Sequence, residues 1–205
     1  VAEGYVAKET NSQWYVVPAE SGEIVTDADS LIENLESGND VFFTEDVKIE
    51  PAGMSNSYGT TGINVNNGQT IDGNGNILDI KGAGGTWDSG ICTSGGLSKN
   101  ITVTGSFRGI FVKGGNEPVV LDNVTLEGVT YTISCDEAKN QTLVATNSTF
   151  KGWTSYAKGY KSVDFTNCKF GKGTGAYSYA FMRPYNDTTF TNCVFEEGYE
   201  FDSTK

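Results

Sequence analysis

The chain has 205 residues, 14 basic and 26 acidic for a net charge of −12, and no histidine. That length holds one domain, or one domain with an appendage, and the acidity opposes nucleic acid or an anionic membrane as partner, because like charge would repel it. No apolar run reaches the ~18 residues of a membrane-spanning helix, which excludes membrane insertion by helices. The 26 glycines, two methionines and 12% aromatic residues describe many short strands joined by turns, and not a disordered acidic chain.

In chain order, Gly4 to Val17 comes first. Two alternating runs flank Glu9-Thr10-Asn11-Ser12 and end at Pro18, so residues 1–20 are expected to form a β-hairpin, either packed on the body or serving as an attachment arm. The opening on Val1, without a Met or signal peptide, leads to the expectation that processing removed the start. A two-turn helix is expected near 29–36, capped by Asp or Ser, with Leu31, Ile32 and Leu35 on one face and Gly38 ending it. Such a helix suits the open end of a strand stack. From Asp40 onward the text is strand and turn, with glycine-rich loops at 53–62 and 82–96 and corners such as Asn66-Asn67-Gly68 and Asp72-Gly73-Asn74-Gly75. Residues 21–205 therefore read as one continuous domain.

The second half repeats one phrase: apolar, polar, Asn, small, any, Leu or Phe, then Gly. Its asparagines are Asn123, Asn147, Asn167 and Asn192, separated by 24 (147−123), 20 (167−147) and 25 (192−167) residues. Gly105, 18 residues before Asn123 (123−105), is expected to fill the same slot in a degenerate copy. A repeat of that length is the mark of a stacked solenoid, and strand-like alternation within it implies an all-β, right-handed parallel β-helix of about seven rungs. The four asparagines are expected to form a structural ladder that satisfies buried corner groups, with Phe165, Phe170, Phe190 and Phe195 stacked inside. Cys168 and Cys193 share a repeat position and are expected to stack as thiols, since in-register side chains point the same way and suit a disulfide poorly. With no CxxC and no His, the four cysteines do not form a zinc site, and no metal or cofactor is expected.

Ser37-Gly38-Asn39-Asp40-Val41-Phe42-Phe43, Gln69-Thr70-Ile71-Asp72-Gly73-Asn74-Gly75-Asn76 and the returning Phe-Thr-Asn-Cys phrase together resemble the β-helix domains of the pectate-lyase-like superfamily, in the versions carried by bacterial surface proteins and phage fibre, tailspike and decoration proteins. The resemblance implies the fold and leaves function to the site, because this fold hosts lyases, hydrolases and adhesins alike. It implies an extracellular location on a virion or cell surface and a homo-oligomer, trimers being common among such viral proteins.

Three functions compete. A polysaccharide-active lyase or hydrolase would need facing carboxylates in a cleft or a calcium site with a basic partner; Asp72, Asp79 and Asp88 read as turn aspartates, and the His-bearing hydrolase set is missing. A binding module would use the late aromatics: Trp153, Tyr156, Tyr160, Tyr177, Tyr179, Phe181, Tyr185 and Tyr199, outside the Phe columns, with Arg183 in a loop at a corner and Tyr177 and Tyr179 on one side of a strand spanning 176–181. A structural role would use the stiff stack itself, and the short tail after Glu200 leaves the C-terminal end to meet another subunit. The expectation is a non-enzymatic structural or attachment module, contacting a surface glycan or capsid or cell-envelope subunits through Trp153, Tyr156, Tyr160, Tyr177, Tyr179, Arg183 and Tyr185. Sequons at Asn100, Asn123, Asn147 and Asn186 are attributed to chance in a Thr- and Asn-rich text.

Overall fold

The computed structural model describes residues 2–50, 62–66, 68–80, 89–135, 141–155, 160–175, 178–184 and 187–201. The chain opens with an antiparallel hairpin of β1 (Tyr5–Thr10) and β2 (Gln13–Pro18). Its turn is the pair Asn11-Ser12, with φ of 50° and 61°. Positive φ at both positions gives the backbone twist that matches a hairpin. The inner face, Val6, Tyr15 and Val17, packs on Ile24 and Phe42 of the main body, while Tyr5, Trp14 and Val16 stay exposed outside. Lys8 ties the hairpin down by donating to the carbonyls of Ser21 and Gly22 at 2.9 Å.

β3 (Glu23–Val25) enters the main sheet and leads to α1 (Ala28–Glu36). Coils of three strands follow. The first is β4 (Val41–Phe43), β5 (Val47–Ile49) and β6 (Ile63–Val65); the second is β7 (Thr70–Asp72), β8 (Ile77–Ile80) and β9 (Ser89–Thr93). In the third and fourth a single long strand bends across two faces: β10 (Gly96–Thr104) with β11 (Arg108–Val112), and β12 (Val119–Leu126) with β13 (Tyr131–Cys135). The fifth is β14 (Gln141–Thr146), β15 (Thr149–Lys151) and β16 (Trp153–Ser155), and the sixth is β17 (Tyr160–Thr166), β18 (Lys169–Gly171) and β19 (Phe181–Arg183). The last is β20 (Thr188–Thr191), β21 (Val194–Phe195) and β22 (Glu200–Phe201).

Every pairing between coils is parallel, and the strands form a right-handed β-solenoid. One sheet stacks seven strands, β6 to β22, so seven coils are built. The solenoid amounts to about five full turns, and the first coil is extended on its outer side by β3, which pairs with β4. The alternation in the sequence is the alternation of the wall: β14 buries every second residue, and β12 does so on either side of its corner at Asp122-Asn123. Inside, Phe150, Phe170 and Phe195 stack at 5.3 and 4.9 Å, and Phe165 stacks on Phe190 at 5.5 Å. Cys168 is buried and unbridged, its thiol donating to the carbonyl of Ala145 at 3.4 Å, and burial pushes its pKa up to about 11.

Several sequence expectations require correction. The ladder slot before Asn123 belongs to Asn100, not Gly105, because Ile101 pairs with Val124. The side chains of Asn123, Asn147, Asn167 and Asn192 are exposed, not buried, so they do not fill the corner groups; backbone does that, with Asn147 N donating to Thr166 O and Asn167 N to Thr191 O. What recurs is the left-handed corner itself, with φ between 51° and 55° at these four positions, a conformation that Asn tolerates better than other side-chain-bearing residues. Their amides run along the outside: Asn192 to Asn167 at 2.7 Å, Asn167 to Asn147 at 3.3 Å and Asn123 to Asn100 at 3.0 Å, while Asn147 turns to Asp122 at 3.0 Å. Arg183 ends a strand and is not in a loop, and Tyr179 precedes that strand where a strand over 176–181 was expected.

Candidate functional site

The outer side of the seven-stranded sheet carries the most distinctive constellation among the described residues. Parallel registry places Arg108, Tyr131 and Trp153 in one column, and the pairing of Thr154 with Met182 continues it to Phe181. Adjacent coils bring such rings within reach of one another. Phe107 meets Tyr131 at 5.2 Å, Tyr131 meets Trp153 at 4.5 Å, and Trp153 meets Phe181 at 4.4 Å. Tyr179 stands edge-on to Trp153 and to Phe181, at 5.5 Å each.

Both arginines of the chain belong to this strip. Arg183 holds its guanidinium 5.2 Å from the centre of the Trp153 ring, and Arg108, buried, lies 5.1 Å from Phe111 and 5.7 Å from Tyr131. A guanidinium over a ring is held by the ring quadrupole, and planar Arg stacks better than Lys. The strip thus concentrates cationic and aromatic character on a protein of net charge −12. The indole N–H of Trp153 and Nε of Arg183 are enclosed and have no hydrogen-bond partner among the described residues. Cys92, which pairs with Phe111 in the strand register, has its thiol pKa raised by burial.

Of the seven residues singled out from the sequence, the structure brings Trp153, Tyr179 and Arg183 together. Tyr156, Tyr177 and Tyr185 lie outside the described residues, and Tyr160 is described only as the start of β17. Tyr199 does not face outward: it packs on Phe170 and Phe195 and donates its hydroxyl to Thr154 at 3.3 Å. Trp153 is also less open than expected, because Tyr131 and Phe181 flank it in the column, leaving ring edges and the guanidinium to meet a partner. Phe107, Arg108 and Tyr131 were missed by the sequence reading. The signal for Tyr131 was the repeat itself, since it lies 22 residues (153−131), one coil, before Trp153.

No family model, no curated protein and no solved structure matches this chain.

Elsewhere, a polar cleft of about 290 Å3 lies between hairpin and helix, lined by Lys8, Glu9, Asn11, Glu23 and Glu33 among others. Asp72 is tied up structurally: it meets Lys99 at 3.1 Å, accepts from Asn74 N at 3.0 Å and from Asn100 at 3.1 Å. Among the described residues, no group of three or more His, Cys, Asp or Glu is placed to hold a metal. No described helix is long and apolar enough to cross a membrane.

Proposed function

We propose that the chain is a non-enzymatic structural and attachment module, displayed on the outside of a virion or a bacterial cell, and that its outer aromatic–guanidinium strip meets the surface it attaches to. The observation that carries this reading is the pre-assembled cluster of Trp153, Phe181, Tyr179 and Arg183 on one face of a stiff parallel stack. Rings and arginine held in place lose little side-chain freedom on binding, which is why such residues dominate binding hot spots. A stack whose coils each bond the next along three faces supplies the rigidity that a spacer or fibre element requires. The resemblance of the repeat to pectate-lyase-like β-helices of phage and bacterial surface proteins favours the same reading, with homo-oligomers as the assembled form. The ligand is a surface glycan, met through sugar hydroxyls and ring edges, or a subunit of the capsid or cell envelope.

A glycan array and a binding screen against purified envelope fractions test this reading. Binding that Tyr179→Ala and Arg183→Ala each weaken about tenfold, with unchanged melting temperature, is the expected result. Release of reducing ends or unsaturated products from a polysaccharide by the purified chain would overturn it.

A further inference from the structure

The hairpin of β1 and β2 has two apolar faces, and its attachment to the body uses only one. Val6, Tyr15 and Val17 pack inward on Ile24 and Phe42. The opposite face sets Tyr5, Ala7 and Glu9 of β1 against Pro18, Val16 and Trp14 of β2 as three cross-strand pairs, and all six residues are exposed. Tyr5 is 49% exposed, Val16 64% and Trp14 68%. A strand pair that lies on a core by one face ordinarily turns polar residues to the other. Here Glu9 alone does so. Single exposed apolar residues need no explanation, but a contiguous patch marks an interaction surface.

The patch sits on a fixed platform. Lys8 bonds the carbonyls of Ser21 and Gly22 at 2.9 Å, Ala19 N donates to Gly4 O at 2.9 Å, and Val17 is buried. Rings held on such a platform lose little freedom on binding, and tryptophan and tyrosine are the side chains that most often anchor an interface.

Charge decides what fits there. Glu9 closes the patch beside Trp14, and Glu3 and Glu20 stand beyond Tyr5 and Pro18 at its other end, all three exposed. Lys8, the one cationic side chain in residues 2–20, is turned to the inner side and spent on carbonyls. A second copy laid on this face, in either direction, would bring carboxylates against carboxylates at both ends, and opposed like charges select against such a contact.

We propose that the outer face of the hairpin is a docking surface for another protein, through an apolar segment that carries lysine or arginine at both ends. The apolar side chains of that segment cover Tyr5, Val16 and Trp14. Its cations meet Glu9 at one end and Glu3 and Glu20 at the other, giving an apolar centre with a charged rim.

The test titrates the intact chain, by calorimetry, with a peptide whose leucine–valine core is flanked by lysines. Two counterparts replace the lysines by glutamate, or the core by serine and glycine. Saturable one-to-one binding of the lysine–apolar peptide is expected, with either counterpart about tenfold weaker or worse. Trp14→Ser and the doubly substituted Glu9→Lys/Glu20→Lys chain, all altered at exposed positions, should each bind about tenfold more weakly at unchanged melting temperature. Arg183→Ala, at the strip, should bind the peptide normally, which separates this surface from the attachment reading. No saturable binding of the lysine–apolar peptide, equal binding of either counterpart, or indifference to both chain variants would overturn the proposal. So would light scattering that shows a dimer which Trp14→Ser dissolves, because the face would then belong to a second copy.

Discussion

The two ends of the solenoid solve the same problem differently. At the N-terminal end a nine-residue helix lies over the first coil with Leu31 and Leu35 buried. Both its termini are satisfied. Asp27 and Ser30 form a reciprocal capping box, Gly38 takes φ of 84° beyond the last turn, and Asn39 N and Gly38 N bond back to Asn34 O and Leu35 O in a Schellman arrangement. Gln69 then ties the helix to the second coil, donating to Leu35 O at 3.0 Å and to Asn39 O at 2.9 Å. At the C-terminal end there is no such cover among the described residues: rings, strand edges and carboxylates face outward. A parallel stack carries its own hydrogen bonds from coil to coil but cannot finish itself. The helix is therefore part of the stability of this protein.

Substitutions sharpen the contrast. Leu31→Ala removes a fully buried side chain from the lid and should cost about 3 kcal/mol in urea unfolding. Gln69→Leu leaves the Asn39 carbonyl and the amide of Asn66 without their Gln69 partner, takes one donor from Leu35 O, and should cost about 2 kcal/mol by the same measurement. Asn167→Ala should cost about 1 kcal/mol because alanine resists the left-handed corner, whereas Asn167→Gly should stay near wild type. If both variants lose equally, the exposed amide ladder, not the backbone, governs that corner. Asp27→Ala should cost about 1 kcal/mol at neutral pH through the lost cap. The bond from the Ser30 backbone holds the Asp27 carboxyl below its usual 3.8. Its contribution is therefore present above that value and lost as pH falls through the lower folded one, so the variant and the parent should converge in melting temperature once the pH lies below both. Phe201→Ala, at the uncovered end, should change stability by less than about 0.5 kcal/mol. A loss as large as that of Leu31→Ala would mean that the last coil is as enclosed as the first.

The fold was legible because its period is written in backbone-determining residues. Asparagines recur where the chain must turn left-handed, and apolar residues recur where the wall faces inward. The third coil escaped this reading for a local reason: Ser98, buried, stands opposite Leu121, so the phrase lacks its leading apolar residue although Asn100-Ile101-Thr102-Val103 matches Asn123-Val124-Thr125-Leu126 closely. The lid was legible from Asp27, Leu31, Leu35 and Gly38, but its tie to Gln69, 34 residues beyond Leu35, was not. The strip was only partly legible. Aromatic composition pointed to Trp153 and Tyr179, yet what joins them to Tyr131, Phe107 and Arg108 is the register between coils, which depends on how many residues each loop takes up. The direction of Tyr199 was missed because a ring after a glycine turn can close a core as readily as decorate a surface.

Hydrogen exchange of the native chain, read strand by strand, tests the contrast between the ends most directly. The amides of β4, beneath the helix, should exchange with protection approaching that of global unfolding, and those of β20 to β22 should exchange at least about a hundredfold faster. Equal protection of β4 and β20 in the free protein would contradict the account.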